Sequence, residues 1–201
     1  MQFLTGIKDI RTKMVGQLVG QLPSTKEGRE CASDFEEWVF RAIQILFAGK
    51  LTNPEFKPNG DAIQRRDIVA TNNAEKGFWK RIREDYEARQ VIFKVKNYST
   101  LKINDFRQAQ SYATPLYGKF ITIINRNANE GLSQTDRGYV KEFFDGHNVL
   151  IFILNAPFLS RCISKLRSGQ RFDYAEKNLN KRLDTFERNY LSLRHSKSRK
   201  L

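Results

Sequence analysis

Three short apolar segments, Gln90–Tyr98, Lys119–Asn125 and Asn148–Asn155, separated by longer amphipathic stretches, limit what this chain can fold into. In the first, Val91, Phe93 and Val95 alternate with Ile92, Lys94 and Lys96, the period of a strand. The other two are almost uninterrupted apolar runs, as strands covered on both faces require. The intervening stretches, Ile103–Ala113 and Thr135–Asp145, carry helical spacing and are long enough for crossover connections between parallel strands. The pattern predicts an α/β three-layer sandwich, with a central mixed β-sheet flanked by helices.

The rest of the chain completes that plan. Phe3–Leu22 has helical apolar spacing, and Pro23 and Ser24 are expected to end it. Gly28–Phe47 is a stronger helix, with Phe35, Trp38, Val39, Ala42, Ile43, Leu46 and Phe47 on one stripe and Gly49 as the stop. Leu51–Gly60 reads as a short extended piece between turns at Asn53-Pro54 and Pro58-Asn59-Gly60. Arg66–Thr71 contains a short β segment, Gly77–Arg89 an amphipathic helix, and Ala156–Arg167 and Asp173–Leu193 the closing helices. A single domain over 1–193 is expected, with an N-terminal helix in 1–24, C-terminal helices in 156–193 and a basic tail at 194–201.

Charge points to the partner. Thirty-five Lys and Arg against 22 Asp and Glu leave a net +13. From Phe158 onward, 12 basic residues face four acids, so +8 of that surplus is C-terminal. An excess of this size concentrates phosphate at the surface and favours nucleic acid. Tail residues Arg194–Leu201 read equally as a solubilising end. No apolar run is long enough for a membrane span, and Lys8, Asp9 and Arg11 break any signal-like N-terminus, so a cytoplasmic protein with no membrane partner is expected. Cys31 and Cys162 stand apart from any CxxC or histidine pair and read as reduced buried thiols. The two histidines, His147 in an expected turn after Gly146 and His195 in the tail, make neither a zinc site nor a Ser-His-Asp triad.

Phosphodiester hydrolysis needs carboxylates for Mg²⁺, the metal to polarise phosphoryl oxygen, and a lysine to orient or deprotonate water. Candidates lie in a suitable order. Glu36 and Glu37 are on a helix ahead of the sheet, Asp67 opens a strand, and Lys94 and Lys96 share one face of the next. Gly28–Glu37, Arg66-Asp67-Ile68-Val69, Val91–Tyr98 and Gln108-Ala109-Gln110-Ser111-Tyr112 together resemble the PD-(D/E)xK nuclease superfamily, with its restriction-endonuclease-like fold and the QxxxY motif of the RecB-type branch. The resemblance covers most of the chain.

It implies Glu36 and Asp67 as ligands of Mg²⁺ or Mn²⁺, Lys96 as the water-activating lysine, and Gln108 and Tyr112 as groups positioning that lysine or the phosphate. Glu37 is the alternative to Glu36. One position departs from the pattern: Lys94 stands where the family has an acid, an ammonium in place of a metal ligand. The implied function is a Mg²⁺-dependent nuclease, a DNA endonuclease of restriction or phage defence, inactivated in this chain by Lys94 and binding metal weakly. The alternative is a non-catalytic nucleic-acid-binding module or scaffold on the same fold. DNA is favoured over RNA, and a homodimer or partner subunit is compatible with the long C-terminal helix. Lys102, Arg107 and Lys119 are either phosphate contacts or solvated charge. Phe78, Trp79, Phe143 and Phe144 read as core.

Overall fold

In the computed structural model the described residues are 2–58, 66–168 and 171–191, of which 2–11 are described as backbone only. Helices α1 (Gln2–Ser24) and α2 (Ala32–Leu46) precede strands β1 (Leu51–Phe56) and β2 (Ile68–Asn72). Helix α3 (Gly77–Asp85) leads to β3 (Gln90–Val95), α4 (Ile103–Gln110) to β4 (Phe120–Asn125), and α5 (Gln134–His147) to β5 (Leu150–Asn155). Helices α6 (Ala156–Lys165) and α7 (Tyr174–Phe186) follow, and a π-helical turn over Glu187–Leu191 continues α7.

The five strands form one sheet in the order β1-β2-β3-β4-β5. The β1–β2 and β2–β3 pairs are antiparallel, and β3–β4 and β4–β5 are parallel, so the sheet is mixed. The change of direction falls at β3. Because β2 runs against β3, the start of β2 lies beside the end of β3, at the same sheet end as the last residues of β4 and β5. Every residue of β4 and β5 is buried, which explains why their sequences show no alternation.

Two sets of side chains form the layers. Phe93, Phe120 and Phe152 point to one face, where they meet Phe78 and Trp79 of α3 and Phe186 of α7. On the other face α4 and α5 pack together through Phe106 and Phe143, whose rings stack at 6.5 Å. Each fully buried Phe of this core contributes about 1.5–3 kcal/mol by leaving water. Helix α1 lies against α2 and α6, tied by Trp38 Nε1 donating to the Leu18 carbonyl at 2.7 Å.

Several boundaries differ from the expectation for local reasons. Pro23 sits inside the last turn of α1 rather than after it. The guanidinium of Arg126 donates to the carbonyls of Leu22 and Thr25 and so caps that helix end. Asn53-Pro54 is a bulge within edge strand β1, not a turn outside it. His147 is the last residue of α5, which ends at Asn148 in the left-handed conformation (φ 55°). The expected Asp173–Leu193 helix is α7 plus a π-helical turn. Asn59-Gly60 and the tail Arg194–Leu201, with His195, lie outside the described residues. Among the described residues no helix is long and apolar enough to cross a membrane.

Candidate functional site

Asp67 immediately precedes β2 and is buried. Its main-chain carbonyl accepts from Lys57 N at 2.8 Å, which pairs the residue after β1 with the residue before β2. Both carboxylate oxygens are occupied. Oδ1 accepts from Lys94 Nζ at 3.0 Å, and Oδ2 accepts from the backbone N–H of Val95 at 2.7 Å. The two side chains of this ion pair are 7% and 9% exposed, so it is shielded from solvent screening. Strand alternation puts Asp67 and Lys94 on the α4 side, where Lys94 Nζ lies 5.9 Å from the Tyr112 ring centre.

Lys96 follows β3 and is held there by its N–H donating to Ile124 O at 2.8 Å. Its ammonium pairs with Asp105 at 2.8 Å and donates to Gln108 Oε1 at 3.1 Å. Asp105, at the third position of α4, also accepts from the Tyr98 hydroxyl at 2.6 Å and from Lys102 N at 2.8 Å. Burial alone would raise the Asp105 pKa; the hydrogen bonds from Lys96 and Tyr98 outweigh it and hold the carboxyl below its ordinary range. Burial and the neighbouring Asp67 push the Tyr112 phenol up to about 12, against smaller lowering effects of Arg66 and of a Gln108 hydrogen bond. Tyr112 therefore stays neutral at physiological pH.

Glu36 and Asp67 do not meet directly. Glu36 pairs with Lys57 Nζ at 2.8 Å, and the same ammonium reaches Ser33 Oγ at 3.2 Å. Lys57 thus ties the Glu36 carboxylate, through its ammonium, to the main chain of Asp67, through its amide. Glu37 instead turns outward to Arg41 on its own helix. Lys94 and Lys96 do not both face Glu36 and Asp67, as the sequence suggested; each lysine has its own carboxylate.

Arg66 joins the cluster from the position before Asp67. Its guanidinium lies over the ring of Tyr117 at 4.4 Å and near Tyr112 at 5.7 Å, and its buried Nε finds no hydrogen-bond acceptor among the described residues. Three lysines (Lys57, Lys94, Lys96) thus pair with three carboxylates (Glu36, Asp67, Asp105), and Arg66 adds a fourth cation against the tyrosines. Lys102 and Arg107 are exposed on α4 and its cap, beside Lys96 and the half-exposed Tyr98. Lys119 is at the opposite sheet end, paired with Glu87, and so is separated from the cluster.

Divalent metal does not fit this arrangement. Each Asp67 oxygen already accepts a hydrogen bond, one of them from an ammonium, and a second ammonium holds Glu36, so a divalent cation would sit against two positive charges. Among the described residues no group of three or more His, Cys, Asp or Glu could hold a metal ion. What the cluster offers is a fixed, cation-rich sheet end edged by tyrosines.

The sequence alone assigns no role to Asp105, Lys57, Arg66 or Tyr98. Arg66 is adjacent to a motif aspartate, which was its only signal; Asp105 has the spacing of an ordinary first-turn helix acid.

No family model matches this chain, and no solved structure matches it. Over 192 residues, 95% of this chain, it is 40% identical to a protein of Escherichia coli (strain K12) named "Putative transposon gamma-delta 80.3 kDa protein". The chain spans only 28% of the length of that relative.

Proposed function

We propose that this chain is a nucleic-acid-binding module on a nuclease-like scaffold, in which Lys94 takes the place of a metal-binding carboxylate. The observation that carries the reading is the buried Lys94–Asp67 pair: the Lys94 ammonium and the Val95 N–H engage both carboxylate oxygens and put a positive charge where a divalent ion would sit. The order of elements, with Asp67 opening β2, Lys96 closing β3 and Gln108 and Tyr112 on and after α4, supports the resemblance to the PD-(D/E)xK superfamily. The net +13 supports a polyanionic partner. A transposon is a DNA element, so the name of the relative favours DNA over RNA.

The exposed Lys102 and Arg107, with the largely buried Lys96 behind them, form the cationic edge that meets phosphates, and Tyr98 adjoins it. Lys94 acts from beneath: it keeps the Asp67 charge from repelling the backbone. Fluorescence anisotropy on duplex DNA tests this. Affinity is expected to be equal in EDTA and in Mg²⁺ at matched ionic strength, and to fall in Lys96→Ala and Lys102→Ala. Binding that requires Mg²⁺, or that ignores both substitutions, would refute it.

A specific observation favours a second reading, an altered nuclease: Lys96 still touches Gln108, and Gln108 still hydrogen-bonds Tyr112 above Asp67. Lys94→Glu separates the two readings, because only an altered nuclease gains metal-dependent cleavage from that single change.

A further inference from the structure

A cation-lined cleft, separate from the Asp67 cluster, opens beside β5. It measures about 380 Å³ and lies between the loop after β4, α6 and α7. The size is that of a small-molecule site, and the position, outside the carboxyl ends of parallel strands, is one where α/β sheets take ligands. Nothing in the Asp67 cluster lines it.

Its charges are unevenly matched. Arg161 of α6 and Arg182 of α7 converge on one carboxylate, Glu130, which pairs with Arg161 and lies 3.6 Å from Arg182 Nη1. Arg182 Nη2 donates to the Glu130 carbonyl at 2.9 Å, and the guanidinium stacks on Phe158 at 4.4 Å. Nη1 itself is buried and makes no hydrogen bond among the described residues. Burial lowers the pKa of Arg182, with Glu130 opposing, as expected of a cation whose compensation is incomplete. Lys181 adds a third, exposed cation at the rim. Two arginines therefore share one carboxylate, with Lys181 beside them in the lining. The remaining wall is mostly apolar and aromatic, with Asn178 and Thr185 as its polar members and Phe186 and Tyr190 edge to face at 5.0 Å.

We propose that this cleft binds a nucleotide phosphate, with the phosphate between Arg161, Arg182 and Lys181 and the base against Phe186 and Tyr190. Glu130 then acts as a placeholder. A carboxylate has two oxygens for two guanidinium forks and leaves Nη1 of Arg182 without a bond; a phosphate brings three oxygens and satisfies all three cations. Glu130 is on an exposed loop, with its side chain 42% exposed, so it can yield to the incoming anion. The proposal does not depend on the chemistry at Asp67. Its ligand is a free nucleotide or the phosphorylated end of a strand, which share this chemistry.

Calorimetry on the whole chain tests it, with AMP, inorganic phosphate, and a short single strand with and without a 5′-phosphate. Saturable binding of AMP identifies a free nucleotide as the source; binding only of the 5′-phosphorylated strand identifies a strand end. Either result supports the site if Arg161→Ala, a substitution at an exposed side chain, weakens binding about tenfold to hundredfold. Glu130→Gln, checked by its melting profile, is expected to tighten binding by removing the competing charge. Four results would overturn the assignment: no binding of any probe, affinity unchanged in Arg161→Ala, inorganic phosphate bound as tightly as AMP, or weaker binding in a folded Glu130→Gln protein. Loss of duplex binding in Lys96→Ala, with AMP binding retained, would keep this site distinct from the module proposed above.

Discussion

Replacing Lys94 with Met tests the ion pair on which the site is built. Met keeps most of the apolar stem and removes only the ammonium. Asp67, 7% exposed, would then lose the ammonium and keep the Val95 N–H as its donor among the described residues. Removing one partner of a buried pair costs about 3–5 kcal/mol, because the other charge stays buried without compensation. In a chain of this size each kcal/mol moves the melting temperature by about 2–4 °C, so a fall of about 6–20 °C is expected. Adding Asp67→Asn removes the stranded charge, keeps an oxygen for Val95 N–H, and should recover most of the loss. The assay is urea unfolding followed by circular dichroism on the two single mutants and the double mutant, read as a coupling energy. A Lys94→Met cost below about 1 kcal/mol, the range of exposed pairs, would refute the reasoning.

Three further outcomes follow from other parts of the structure. Gly77 opens α3 with φ +76°, and an added Cβ would lie 2.7 Å from Glu176 Oε2; Gly77→Ala should therefore cost about 1–3 kcal/mol in thermal or urea unfolding. Asp105 has a depressed pKa, so its stabilisation is complete above the ordinary carboxyl value of about 4 and is lost as pH falls through the lower folded value; Asp105→Asn should flatten the acid limb of the stability–pH curve, and an unchanged limb would contradict the pairing with Lys96 and Tyr98. The log of duplex affinity should fall linearly with log salt, at about −0.9 per phosphate neutralised; truncation after Leu191 should make that slope shallower if the tail meets DNA, and an unchanged slope would make it a solubilising end.

The sheet was legible because its signals are local. Uninterrupted apolar runs at β4 and β5 and the alternation in β3 announce strands before any contact is known. Helix ends were less so, since Pro23, His147 and the π-helical turn after α7 depend on Arg126, Asn148 and packing that no short window contains. At the site, order along the chain located Asp67, Lys94, Lys96, Gln108 and Tyr112 at one sheet end. It did not reveal the pairing. Whether Lys94 meets Asp67 or Lys96 meets Asp105 is decided by which side chains face α4 and by how deep each lies. Glu36 shows the same limit: the resemblance named it, with Glu37 as the alternative, and only the fold set the Lys57 ammonium against it and turned Glu37 to Arg41.

The most direct test of the account is a paired binding and cleavage measurement on the native chain and on Lys94→Glu, with duplex DNA, single-stranded DNA and RNA in EDTA, Mg²⁺ or Mn²⁺. A binding module whose metal position is filled by an ammonium predicts metal-independent binding and no cleavage by the native chain. It also predicts that Lys94→Glu, with two neighbouring carboxylates and no cation between them, loses stability and remains without cleavage under every condition. Mg²⁺-dependent cleavage by the native chain that disappears in Asp67→Ala would contradict the central claim. Cleavage by Lys94→Glu alone, abolished by adding Lys96→Ala, would replace it with the altered-nuclease reading.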